Sequence, residues 1–346
     1  MRILHLMAGA NVGGAETFFG RLVLSLQKQE MKQKLIIRPA SVREKMLKER
    51  SVEYNTAPFA GWFDFTTSKN IKQEISVYGP DIIISWMNRP TRFVPQKFAG
   101  GKRNFIHLGS PRGYYAAKYY KNCDHLVVTT NDLAKFYCDQ GRTMDQISII
   151  PNFVPENLSK PVLRSKFNTP ENVPLLLALG RLHNNKGFDI LLNAMIDLPN
   201  HYLWLGGAGP LEKELRSIAS KNGVAERVRF LGWVDDPASL FRAADIFVCS
   251  SRHEPFGNII IEAWLNSVPI VAAASEGPTS LIENGETGLL VSNEDAEALS
   301  AAIGSLSGDP MLMERLSVAG RSRYEDSFTE ERVVGQYVDL FKRLVN

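Results

Sequence analysis

The sequence predicts an α/β protein made of two doubly wound parallel-sheet domains. Short apolar runs alternate with longer amphipathic stretches along the whole chain, as parallel strands alternate with crossover helices. With 346 residues, the chain is too long for one comfortable core and of ordinary length for two. The alternation also restarts. One series closes at 148–155, where Pro151 and Pro155 mark a crossover, and a second opens at Pro174.

In the first series the expected strands are 2–7, 34–38, 81–86, 104–108 and 125–129. Helical patterns fall between them. The stretch 15–29 sets Phe18, Leu22, Val23 and Leu26 on one face. The second series has expected strands at 175–179, 202–205, 228–231, 246–249 and 270–273, with a short sixth at 288–291. Its helices are expected near 187–195, 211–221, 237–243, 257–266 and 296–306. A last helical pattern, about 330–344, repeats Val333, Tyr337, Phe341 and Leu344 at helical spacing. The division into domains is therefore 1–155, 156–328 and a final helical segment 329–346. Ligands of such folds sit at the carboxyl ends of strands, here in a cleft between the domains.

An apolar content of 44 % with 22 % charged residues describes a folded globular chain and excludes a disordered one. No stretch approaches the roughly 18 apolar residues of a membrane-spanning helix. Residues 1–7 are too short an apolar run for a signal peptide and read instead as a first strand entering a glycine loop. Cys123, Cys138 and Cys249 have no paired spacing. They read as small buried apolar residues in a reducing, cytoplasmic setting rather than as a disulfide or zinc framework. Residues 1–160 hold 23 Lys and Arg against 13 Asp and Glu, a balance of +10. The remainder hold 17 against 24, a balance of −7. A basic first half favours an anionic acceptor or peripheral contact with an anionic membrane face. Nucleic acid is not expected as a partner, because no nucleic-acid module is present.

The strongest chemical signal is Arg252-His253-Glu254-Pro255-Phe256-Gly257-Asn258-Ile259-Ile260-Ile261-Glu262-Ala263, which follows the expected strand 246–249. If the intervening residues are helical, Glu254 and Glu262 lie about 12 Å apart. That exceeds the spacing of a glycosidase carboxylate pair, about 5 to 9.5 Å, and suits an extended ligand. Phe256, Gly257 and Asn258 would offer backbone N–H groups at a helix start to phosphate or hydroxyl oxygens. The alternative is two acids on a solvated helix. Against it, Glu262 stands among Ile259, Ile260, Ile261, Ala263 and Trp264, where a carboxylate needs a partner.

A second signal, Leu179-Gly180-Arg181-Leu182-His183-Asn184-Asn185-Lys186-Gly187-Phe188-Asp189, places two cations five residues apart after a strand. A forked Arg181 and a mobile Lys186 could meet a pyrophosphate where a metal ion would otherwise serve. No Asp-x-Asp motif occurs, so no metal site is expected. Leu205-Gly206-Gly207-Ala208-Gly209-Pro210 is a weaker strand-to-helix turn, and neither it nor Gly13-Gly14-Ala15-Glu16 has dinucleotide-fingerprint spacing. Gly13 and Gly14 would let backbone approach a ligand, or simply turn the chain into its first helix.

Taken in order, these residues resemble the retaining glycosyltransferases of family 4, whose GT-B fold pairs two Rossmann-like domains across a cleft. The early Gly-Gly-Ala-Glu loop, Ile150-Pro151-Asn152, Gly180-Arg181-Leu182 with Lys186-Gly187-Phe188-Asp189, and Gly207-Ala208-Gly209-Pro210 carry the likeness. So do the Glu-x7-Glu segment, 228–232 and 283–291. The resemblance covers nearly all of the second half and is thin in the first. It implies that Arg181 and Lys186 hold the donor diphosphate and stabilise it as it leaves. Gly180 and Gly209 would line the donor, Glu262 would bind ribose hydroxyls and Glu254 would face the donor sugar. Gly14, beside Gly13, would approach the sugar-phosphate from the other domain, and the base would lie near Val234. The final helix would cross back onto the first domain. No cofactor or metal is implied; the nucleotide diphosphate-sugar is a substrate. His107, read as ending the strand at 104–108, is the candidate for a histidine near the transferring sugar, with a satisfied structural residue as the alternative.

On the acceptor side, Tyr114, Tyr115, Tyr119 and Tyr120 interleave with Lys118 and Lys121 after Arg112, and Trp62, Phe63 and Phe65 precede Lys69 and Lys72. Either group could seat a glycan or glycolipid acceptor or touch a membrane; aromatic packing on the first sheet is the alternative. The tyrosine segment resembles bacterial lipopolysaccharide-type sugar transferases. The expected activity is hexosyl transfer to an envelope glycan. The competing readings are a binding protein of the same fold without turnover and a sugar-nucleotide epimerase.

Overall fold

A computed structural model describes every residue except Val12, Glu30, Trp62, 98–102, Leu158 and Asn346. The chain forms two compact units. The first comprises Met1–Phe153 with Glu330–Asn346, and the second Val154–Thr329.

The first unit carries β1 (Arg2–Met7), β2 (Lys32–Ile37), β3 (Tyr54–Thr56), β4 (Ile82–Trp86), β5 (Ile106–Ser110), β6 (His125–Val128) and β7 (Ile147–Ile149). They form one sheet in the order β3-β2-β1-β4-β5-β6-β7, with every pairing parallel. The helices between are α1 (Gly14–Lys28), α2 (Ser41–Glu49), α3 (Phe65–Tyr78), α4 (Asn88–Thr91) and α5 (Asn131–Cys138). β4, Ile-Ile-Ile-Ser-Trp, is buried throughout because helices cover both faces of a parallel sheet. α1 buries Phe18, Phe19, Leu22, Val23 and Leu26 against that sheet.

The second unit holds β8 (Leu175–Leu179), β9 (Tyr202–Gly206), β10 (Val228–Gly232), β11 (Ile246–Cys249), β12 (Ile270–Ala273) and β13 (Leu289–Val291). Their order is β10-β9-β8-β11-β12-β13, again parallel. α6 (Phe188–Ala194), α7 (Glu212–Lys221), α8 (Pro237–Phe241), α9 (Asn258–Leu265), α10 (Glu276–Leu281), α11 (Ala296–Ser307) and α12 (Pro310–Ser327) complete it. All five residues of β8 are buried, as its Leu-Leu-Leu-Ala-Leu sequence requires.

α13 (Glu330–Val345) belongs to the first unit. It buries Val333, Val334, Tyr337, Leu340 and Phe341, with Tyr337 against Phe18 of α1 at 6.3 Å between ring centroids. Glu330 accepts from Ser25 at 3.0 Å and pairs with Lys28 at 2.7 Å. Arg112 ties the same region together. Its guanidinium lies over the rings of Phe18 and Trp86 and donates to Tyr337 Oη at 2.5 Å and Asn152 Oδ1 at 2.8 Å.

In both sheets the strand order reverses about the first strand, between β1 and β4 and between β8 and β11. The loops leaving those strands at their carboxyl ends flank the ligand crevice of a doubly wound sheet.

Candidate functional site

The loops after β8 and β11 contain the two strongest sequence signals, and the second unit brings them together. Lys186, in the turn before α6, ion-pairs through Nζ with Glu254 Oε2. Their side chains are only 23 % and 14 % exposed. Burial pulls the Lys186 ammonium down, but Glu254 more than offsets it and holds its pKa above the ordinary lysine value. Cys249, at the end of β11 beneath this pair, is buried, and burial pushes its thiol up. Arg181 is exposed on the loop between β8 and Lys186.

Backbone contacts lace the loops at this end of the sheet. Gly180 N donates to Gly206 O at 3.0 Å, Gly207 N to Gly232 O at 2.7 Å and Leu182 N to Ala208 O at 3.1 Å. Gly207 has φ +135°, and a Cβ there would collide with Gly180 O. Gly187 has φ +59°, and its Cβ would collide with Ser250 O. Both turns therefore require glycine. Gly209, between β9 and α7, lies in the same laced set, with its carbonyl accepting from Glu212 N at 3.4 Å. Val234 packs over the end of β9, since a Cβ on Gly206 would stand 2.9 Å from its Cγ2.

Gly257 caps α9, which begins at Asn258. The helix therefore covers only the second half of the Glu254–Glu262 interval. This corrects the 12 Å spacing, which assumed helix throughout. Phe256 and Gly257 are buried in the preceding loop, while Asn258 and Glu262 are half-buried on the first two turns.

Two supports of the site escaped the sequence reading. Arg252 grips Asp189 with two bonds of 2.7 and 2.6 Å and reaches Glu294 at 2.6 Å. The Asp189 carboxylate raises the guanidinium pKa further and is itself held below the usual carboxylate range. Glu276, at the start of α10, bonds His253 Nδ1 at 2.6 Å and accepts from the backbone N of Glu254 at 3.3 Å. The adjoining Gly277 N donates to Glu254 O at 2.7 Å. Arg252 and Asp189 each stand inside a recognised motif, but no local signal links them. Glu276 stands in Ser-Glu-Gly-Pro, which reads as a turn.

In the first unit, Gly13 is extended at the start of α1, Gly14 is the first helical residue, and the Glu16 carboxylate turns back to accept from Ala10 N at 2.8 Å. His107 is a correction. β5 runs on to Ser110, so His107 is its second residue and lies away from the carboxyl end. Its side chain is fully buried, and Nε2 bonds Ser85 Oγ at 2.8 Å. Burial lowers its pKa to about 3, which keeps the ring neutral. Nδ1 is buried with no side-chain partner among the described residues, and the ring lies inside the sheet rather than at its carboxyl end.

Tyr120 is buried against Tyr137, and Tyr114 packs edge-on to Phe136 with its hydroxyl on Asp132, so these two serve packing. Tyr119 is exposed. Trp62 lies outside the described residues; Phe63 and Phe65 are 86 % and 76 % exposed. Among the described residues no helix is long and apolar enough to cross a membrane.

The family described as glycosyl transferases group 1 matches residues 159–323, which include the donor-side motifs of the second unit. Across the whole chain, the lipopolysaccharide core biosynthesis glycosyltransferase LpsE of Rhizobium meliloti (strain 1021) is 33 % identical, with 98 % of each chain covered. The chain belongs to the group 1 glycosyl transferases. This glycosyltransferase also matches solved structures. A glycosyltransferase from Rickettsia africae ESF-5 superposes with a TM-score of 0.87 at 20 % identity, covering 100 % of this chain and 98 % of that one. HepE of Anabaena, solved with UDP and glucose, gives 0.84 at 18 % identity, with 99 % of both chains covered. These likenesses show the fold, and the two parallel Rossmann-like sheets are those of GT-B glycosyltransferases.

Proposed function

We propose that this glycosyltransferase is a retaining, metal-independent enzyme of family 4 that moves a hexose from a nucleotide diphosphate-sugar to a glycan or glycolipid acceptor. The acceptor belongs to lipopolysaccharide core or another envelope polysaccharide, and the basic first unit makes peripheral contact with an anionic membrane face from the cytoplasmic side. One observation carries the donor reading: Lys186 and Glu254 meet beside the start of α9, where the strand order reverses.

Arg181 and Lys186 neutralise the departing diphosphate, the largest electrostatic demand of the transfer. Glu254 faces the donor sugar and Glu262 the ribose hydroxyls. The N–H groups at Phe256, Gly257 and Asn258 meet the donor's oxygens. Gly180 and Gly209 leave room for it, Val234 flanks the base, and in the first unit Gly13 and Gly14 present backbone without side chains at the loop after β1. The acceptor class is supported by the lipopolysaccharide core role of LpsE and by the basic charge of residues 1–160.

Thermal stabilisation by UDP, GDP, ADP and their sugars, with chelator present, tests the reading. One nucleotide family should raise the melting temperature of the wild type and not of Glu262→Ala. Stabilisation that disappears with chelator would count against metal independence. No stabilisation by any of them would count against the donor site. Sugar conversion without any acceptor would favour an epimerase.

A further inference from the structure

On the first unit, two large rings stand in water side by side in sequence. Phe63 and Phe65 flank Asp64, which caps α3 through Thr67 N at 2.8 Å and also accepts from Ala60 N at 2.7 Å. The cap fixes the backbone from which both rings project. α3 continues the surface. Phe65, Lys69 and Lys72 recur at helical spacing on its exposed side, while Thr67, Ile71, Glu74 and Ile75 are buried. Glu74 is the only acid in the helix, and it is turned inward onto Lys34 at 2.8 Å and Asn55 at 2.9 Å. Within α3 the outward stripe therefore carries an aromatic ring and cations, and the one carboxylate between the two rings, Asp64, is engaged by Ala60 and Thr67.

Its place in the fold matters as much. α3 begins where the chain leaves β3, at the carboxyl end of a fully parallel sheet. The Gly13–Gly14 loop after β1 opens at that same end.

Exposed rings forgo the stabilisation that burial brings, so a patch of this kind marks a surface that is covered in use. Aromatic rings beside lysines fit a lipid interface, with rings at the acyl boundary and ammonium groups at the phosphates. We propose that this face docks on an anionic lipid surface, with Phe63 and Phe65 entering the interface and Lys69 and Lys72 meeting headgroup phosphates. The inference rests on the envelope-glycolipid reading above. It specifies which residues make the membrane contact and orients the carboxyl end of the first sheet toward the bilayer, where a lipid-linked acceptor is held.

Co-sedimentation of the full chain with vesicles of phosphatidylcholine alone, or of phosphatidylcholine with phosphatidylglycerol, decides it. The wild type should bind the anionic vesicles, lose them as salt rises, and ignore the neutral ones. Phe63→Ser/Phe65→Ser and Lys69→Glu/Lys72→Glu should each weaken binding by about tenfold or more, with unchanged melting temperature. Failure of the wild type to bind anionic vesicles at low salt overturns the proposal. So does undiminished binding by both double variants, and capture of the exposed rings by a protein partner would then explain them. Transfer from a nucleotide-sugar to a soluble acceptor reports separately on the enzymatic reading, and both double variants should retain it.

Discussion

Glu254 is held from three directions. Lys186 meets its carboxylate, the Glu276 carboxylate meets its backbone N–H, and Gly277 N–H meets its carbonyl. On the donor reading proposed above, Glu276 is thus a positioning residue that acts through Glu254. Glu276→Ala should lower turnover roughly tenfold, the worth of about one lost hydrogen bond near 1.4 kcal/mol. Glu276→Gln should recover most of it, because the amide oxygen still accepts from Glu254 N. The melting temperatures of the two variants should match. Equal kinetic losses would transfer the effect from that bond to the negative charge beside His253.

The loops that carry the site are held by close backbone contact. The turn ending at Gly187 touches the loop after β11, where Ser250 Oγ donates to Lys186 O at 3.0 Å and His253 N to Asn185 O at 3.2 Å. Gly187→Ala combines a left-handed φ with a collision against Ser250 O and should cost about 1–3 kcal/mol. Gly223→Ala, at φ +68° with open space around it, should cost only the conformational part, about 1 kcal/mol. Equal shifts in thermal unfolding would refute the tight approach. Elements with a strong local pattern could be read from sequence: β8 starts and stops where its apolar run does. β5 could not, because Gly109, Ser110 and Pro111 look like strand breakers. Pairing with β4, including Trp86 with Ser110, carries the strand past them, and His107 was misplaced for that reason. β3 is three residues long, and α10 contains Gly277 and Pro278, so neither announces itself. Of the site, the motif residues were legible one by one. The pairings of Arg252 with Asp189, 63 residues apart, and of Glu276 with Glu254, 22 apart, exist only in three dimensions.

The whole molecule should be sensitive to acid, and unevenly so. Burial lowers His5 and His107 to about 3 and His125 to about 4, and all three lie in the first unit. Unfolded, each binds a proton near pH 6.5; folded, none does until pH falls to about 3–4. The unfolded state therefore binds more protons across that window, and stability falls as pH drops through it. At pH 5 each buried histidine withdraws on the order of 2 kcal/mol. Hydrogen exchange at pH 7 and pH 5 should show protection lost first in the first unit, and a uniform loss over both units would contradict this. The placement of α13 carries a different consequence, in the order of synthesis. Residues 330–346 are made after all of 154–329, yet they complete the unit that starts at residue 1. On the ribosome the middle of the chain can finish folding while the earliest part still waits, the face that Phe18 and Arg112 offer to Tyr337 left open to chaperones and proteases.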